Sequence, residues 1–213
     1  MFTNVLDRLG PEKTVSAMHS QYRKFCYDNG KPMSSSDVIA ESFSKTGQYN
    51  VIPYFESWHI RPTKELENEI YEMDLPMLYY LNDIITDKAA CERVRSKLNL
   101  DGIYSLVSTD DLADTGYKSQ ATLKISIDDL SQIQNKNIVI KNGGKIVKKI
   151  PVTGKTIQTE LPVGIYEIEL PMPRTADYRF QKEYFVAAQG NAAKEFSYEK
   201  IKGNPLLYDV EIQ

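Results

Sequence analysis

Two histidines, two cysteines and one tryptophan are all that this 213-residue chain holds of those three residue types. That scarcity excludes much chemistry at once. A zinc site of the His-Glu-x-x-His kind needs two imidazoles one helical turn apart, with a carboxylate beside them. Here Ser20 follows His19 and Ile60 follows His59, so the motif is absent. Glu56 and His59 have the i, i+3 spacing of di-iron bundles, but such a site needs a second copy and further glutamates on facing helices. His59 therefore reads as a helix-boundary residue, and His19 as one on the polar side of its helix. Cys26 and Cys91 lie on apolar helical faces and read as buried free thiols, while spacing alone leaves a disulfide open. No apolar run approaches the ~20 residues of a membrane span. MFTNVLDRLG carries an acid and no apolar stretch, so no signal peptide is expected in this chain.

What is present is a composition able to bury a sizeable core, with 41% hydrophobic and 26% charged residues and a formal net charge of −3. The charge is unevenly divided. Residues 1–117 hold 12 Lys and Arg against 18 Asp and Glu, whereas residues 118–213 hold 14 against 11. That basic balance, with Lys145, Lys148, Lys149 and Lys155 close together, is too weak and too poor in arginine for a nucleic-acid interface.

The hydrophobic period changes along the chain. Over 11–30, Val15, Met18, Tyr22, Phe25 and Cys26 form the stripe of a helix buried on one side, with Pro11 in its first turn and Asn29-Gly30 as its stop. Serines 34–36 open a second helix that ends at Gly47, and Thr63 a third with Leu66, Ile70 and Met73 on one face. Residues 75–87 and 87–100 continue the helical pattern, without strands. From about residue 119 the period is two: Ala121, Leu123, Ile125 and Ile127 alternate with polar residues. NIVIKNGGKIVKKIPV predicts a hairpin around Asn142-Gly143, and TIQTEL, GIYEIEL, YRFQKEYFVAA, EFSYEKI and LYDVEI read as further strands. The expected architecture is α+β in two domains. Residues 1–98 form a helical domain, 99–117 a packed connector, and 118–213 an antiparallel β-sandwich.

Local catalytic motifs are missing. TGKT at 153–156 imitates the tail of a phosphate loop, yet Lys149 stands where the motif needs glycine, and no helix follows. No nucleophile elbow is present, and paired carboxylates cannot be read from sequence. Catalysis within this chain is not expected.

SSSDVIAESFSKTGQYNVIPYFESWHI, residues 34–60, resembles a pattern of the enhancin-like zinc metallopeptidases, a mucin-degrading family. The matching residues are Asp37, Ser44, Gly47, Asn50, Pro53, Phe55 and Trp58. LDRLGPEKTVSAMHSQYRKF resembles the family's preceding helix, and much of 121–201 its C-terminal mucin- or carbohydrate-binding module. The family's zinc motif would lie upstream of Met1, so the resemblance implies a C-terminal part whose zinc is held elsewhere in the parent. Asn50, Pro53, Phe55 and Trp58 are then structural. Gly47 ends one helix, Asn50 caps the next, Pro53 sits in its first turn, and Phe55 and Trp58 point three residues apart toward the core.

The resemblance implies a region that binds mucin-type glycoprotein, packs against the catalytic domain of its parent, and is secreted or held at the cell surface. Within DYRFQKEYF, strand alternation puts Tyr178, Phe180 and Tyr184 on one face for sugar stacking, with Arg179, Gln181 and Lys182 beside them. Sialylated or sulfated glycans would suit the basic second half. The alternative is a structural brace without a ligand, since the acidic helical half and basic β half are suited to pack together.

Overall fold

The computed structural model describes residues 2–180 and 182–201. α1 (Phe2–Leu9) turns through Gly10 into α2 (Pro11–Asn29), whose last turn is closed by Gly30 at φ 63°, the Gly30 N–H donating to the Cys26 carbonyl at 3.0 Å. α3 (Ser35–Gly47) is capped by Ser34, whose Oγ accepts from the Asp37 N–H at 3.2 Å. α4 (Ile52–Glu56), α5 (Lys64–Glu72), α6 (Leu81–Ile84) and α7 (Lys88–Lys97) follow. Asp87 caps α7, accepting from the Ala90 N–H at 2.8 Å. The stripe of α2 is less covered than its pattern predicts, because Val15 and Tyr22 stay exposed while Met18, Phe25 and Cys26 are half-buried. Cys91 is buried, and both thiols are free.

One expectation for this half is corrected. Residues 75–87 are not one helix: Tyr79–Tyr80 forms strand β1, and only Leu81–Ile84 is helical. Residues 99–117 supply β2 (Leu106–Val107), which pairs antiparallel with β1, and a 3₁₀ turn over Asp110–Thr115. A short apolar run fits either period, and here a partner strand from beyond α7 decides it.

The second half holds β3 (Lys118–Ser126), β4 (Asn137–Asn142), β5 (Lys145–Pro151), β6 (Thr156–Pro162), β7 (Gly164–Glu169), β8 (Tyr178–Arg179), β9 (Glu183–Ala187), β10 (Gly190–Ser197) and β11 (Glu199–Lys200). They make a three-stranded sheet in the order β10-β3-β6, a four-stranded sheet in the order β5-β4-β7-β9, and the small pair β11-β8. Ala121, Leu123 and Ile125 of the first sheet share one apolar cluster with Ile138, Ile168 and Phe185 of the second. The expected layout was antiparallel throughout, but β3 and β10 pair parallel from Ser119 opposite Gly190 to Ser126 opposite Ser197. Which strand returns beside which is settled by closure of the whole sheet, and leaves no local signal. The hairpin turns on Gly143–Gly144, at φ 53° and 74°, with Asn142 paired to Lys145, one residue later than the Asn-Gly signal suggests. The expected strand over 207–212 lies outside the described residues.

The two halves share their interior. β7 is buried on both faces: Tyr166 and Ile168 join the β cluster, whereas Ile165 packs with Phe55, Ile70 and Leu78 of the helical cluster. Val163 likewise packs with Leu81, Val94 and Val107. The glycine turn rests on Asp74 and Pro76, close enough that a Cβ on Gly144 would lie 2.8 Å from Asp74 Cβ. Every ion pair among the described residues joins two residues of the same half, while apolar packing and hydrogen bonds such as that from Asn142 Nδ2 to Asp110 Oδ1 cross the joint. Among the described residues, no helix is long and apolar enough to cross a membrane.

Candidate functional site

Asn50 is buried and ties the entry to α4 to the segment 76–78. Its N–H donates to the Pro76 carbonyl at 2.9 Å, its own carbonyl accepts from the Leu78 N–H at 3.2 Å, and its Oδ1 accepts from the Ile52 N–H at 3.0 Å at the entry to α4. Pro53, Tyr54 and Phe55 are buried, and Phe55 meets the Phe43 ring with centroids 6.1 Å apart. For these residues the segment closes a core.

Trp58 departs from that expectation. α4 ends at Glu56, and although the Trp58 N–H still donates to the Phe55 carbonyl at 3.0 Å, the indole stands 46% exposed. Its Nε1–H donates to the Tyr80 hydroxyl at 2.6 Å. Tyr80 in turn meets the buried Tyr54 ring edge-on, with centroids 5.3 Å apart. Burial, then the adjacent Tyr80, pushes the Tyr54 hydroxyl far above its ordinary range, so Tyr54 stays a neutral anchor.

These aromatics border an open cleft of about 570 Å³, walled by Trp58, Tyr80 and Tyr104 and floored by Ser57, Asn82 and Asp83. Tyr104 is 61% exposed, and its loop is tied to α1 by a 3.0 Å hydrogen bond from Asn4 Nδ2 to the Tyr104 carbonyl. Asn82 Nδ2 donates to Asp83 Oδ1 at 3.0 Å, and partial burial raises the Asp83 carboxyl above its ordinary value. A second hollow of about 480 Å³ shares Asn4 and Tyr104 with it and is lined further by Asp7, Arg8, Asn99 and Asp101. The Arg8 guanidinium is already committed to Asp111 at 2.6 Å and to the Tyr49 hydroxyl at 3.1 Å. The sequence marked Trp58 but not Tyr80 or Tyr104, which reach the cleft through β1 and the loop before β2. The density of aromatics around residues 49–58 was the signal available.

The patch expected on one continuous strand is divided. Tyr178 and Arg179 form β8 against β11, Tyr184 belongs to β9 in the four-stranded sheet, and Gln181 lies outside the described residues. Tyr178, Arg179 and Phe180 remain together, beside a groove of about 600 Å³ that also reaches Pro171 and Met172. Arg179 is paired with Glu199 at 2.7 Å, and Phe180 packs on Tyr198 with centroids 5.8 Å apart. Tyr184 points elsewhere. It packs on Tyr79 with centroids 6.2 Å apart, beneath Lys194 Nζ at 4.2 Å from its ring, and burial raises its hydroxyl. Lys182 lies 3.4 Å from Glu167 Oε1 and donates to the Tyr71 carbonyl, again at the joint between the halves.

Among the described residues no cluster of three His, Cys, Asp or Glu side chains is placed to hold a metal ion. No family model and no curated protein matches this chain. Among solved structures it is similar to the Bacillus anthracis TIE protein, at 14% identity and a TM-score of 0.32, over 40% of this chain and 17% of that one. It is also similar to the minor pilin of Streptococcus agalactiae, at 11% identity and a TM-score of 0.32, over 41% of this chain and 47% of that one.

Proposed function

We propose that this chain is a non-catalytic recognition region that binds the glycans of mucin-type glycoproteins. The cleft between Trp58, Tyr80 and Tyr104 carries this reading. Exposed aromatic faces stack on the apolar faces of pyranose rings, while carboxylate, amide and hydroxyl groups bond the ring hydroxyls. The resemblance to enhancin-like zinc metallopeptidases supplies the setting: a secreted or cell-surface parent holding its zinc elsewhere, with helices of 1–98 completing the peptidase domain. The half-covered stripe of α2 suits packing against such a domain. The β half, read as a sandwich, would add a second contact at Tyr178, Arg179 and Phe180. The test is retention of the whole chain on immobilised mucin, before and after enzymatic deglycosylation. Retention that disappears with the sugars, and in Trp58→Ala, supports the reading. Retention that survives deglycosylation overturns it.

A second reading, a brace without a ligand, draws on β7 being buried between both halves. A brace predicts no mucin retention by a fully folded chain.

A further inference from the structure

We infer that the groove running past Tyr104 takes a neutral oligosaccharide of at least two rings and turns away sialylated or sulfated ones; this rests on the glycan-recognition reading above. The two hollows share Asn4 and the exposed Tyr104 in their walls. A ring in each hollow would engage Tyr104 from both, whereas a single ring would leave one hollow solvated.

Charge decides the class of sugar. Among the described residues, the only ionisable acid or base bordering the Trp58 hollow, apart from the tyrosine hydroxyls, is Asp83, and no lysine, arginine or histidine lines it. The second hollow adds Asp7 and Asp101 against Arg8, whose guanidinium is held by Asp111 and Tyr49. A sialic acid or sulfate entering here meets carboxylates whose only cationic neighbour among the described lining residues, Arg8, is already ion-paired with Asp111, in a setting where like charges repel more strongly than in open water. Neutral sugar hydroxyls, by contrast, are the donors that Asp83 can accept from. Because the Trp58 indole N–H is already given to Tyr80, Trp58 offers a ligand its face, which suits the C–H side of a pyranose. Among the described residues, only those of the first half line this groove, so the basic residues described in 118–201 do not border it.

Trp58 is the chain's only tryptophan, so its emission reports on this hollow directly. The experiment titrates the intact chain with glycans released from mucin and separated into neutral and acidic fractions, with a mixture of the component monosaccharides, and with choline. The neutral fraction should bind at least ~10-fold more tightly than either the acidic fraction or the monosaccharides, a difference of about 1.4 kcal/mol. Tyr104→Ala should remove the advantage of oligosaccharide over monosaccharide, and Asp83→Asn should narrow the gap between neutral and acidic fractions. Equal or tighter binding of the acidic fraction would overturn the charge argument while leaving glycan recognition standing. Equal binding of monosaccharides would overturn the two-ring argument in the same way. Emission that no saccharide changes, with the chain still retained on mucin through its sugars, would move recognition away from this groove. A response to choline alone would make the aromatics a cation site and sink both readings.

Discussion

The Thr109 hydroxyl donates a 2.6 Å hydrogen bond to the Ile165 carbonyl and accepts one of 2.9 Å from the Ile165 N–H. One side chain thus stands in for a neighbouring strand at the inner edge of β7, with both groups buried. Thr109→Val keeps the shape and removes both bonds, leaving a buried donor and acceptor unpaired. The expected loss is on the order of 2–4 kcal/mol. Since Ile165 belongs to the helical core, Trp58 emission and far-ultraviolet circular dichroism should shift together in chemical denaturation. Separate transitions for the two signals would contradict a shared interior.

Gly144 sits at φ 74° with Asp74 directly against it. Gly144→Ala meets both a strained backbone and a contact of 2.8 Å to Asp74 Cβ, so a destabilisation of about 1–3 kcal/mol is expected. Gly154→Ala is the control, having open space around it and an ordinary backbone. Equal effects in thermal unfolding would mean that the hairpin tip does not bear on the helical half.

Glu167 is 6% exposed, and burial raises its carboxyl despite Lys182 and Lys141 nearby. A carboxyl raised in the folded state binds its proton more tightly there than in the unfolded chain. Stability therefore falls as pH rises from the ordinary carboxylate value, about 4.3, toward the raised one, and the cost persists at neutral pH. Glu167→Gln should leave the melting temperature at neutral pH equal or higher and flatten its slope through mildly acidic pH. Glu67, raised by burial in the same sense, will retain part of that slope. Lys182→Met should lower stability at neutral pH, and an increase there would show that the cation does not offset the buried charge.

Tyr80→Phe deletes the acceptor of the Trp58 indole N–H while leaving the ring against Tyr54. The Trp58 bond is exposed, but the Tyr80 hydroxyl also bonds that of the buried Tyr54, so stability should fall by about 1–2 kcal/mol. The indole loses its fixed orientation, and glycan affinity should drop several-fold by emission titration. Unchanged affinity would mean that Trp58 is not oriented through Tyr80.

Much of the fold was legible because local chemistry and final structure agree. Pro11, Gly30 and Ser34 mark helix ends where the chain has them, and the alternation of Ala121, Leu123 and Ile125 survives intact in β3. What escaped depends on distant partners. Tyr79–Tyr80 becomes a strand because Leu106–Val107 arrives beside it, and β10 lies parallel to β3 for reasons no window of ten residues contains. The run 178–188 looked continuous, but its two ends pair in different sheets, which separates Tyr184 from Tyr178. Asn50, Pro53 and Phe55 are buried as their setting suggested, whereas Trp58, one short turn past Phe55, lies outward beyond the end of α4.

The parallel run of β3 beside β10 also has a mechanical meaning. A tension drawn between the start of β3 and the end of β10 acts along the ladder rather than across it, so the rungs from Ser119 to Ser126 are strained together instead of one after another. Built this way, the seam resists like a lap joint and not like a zip.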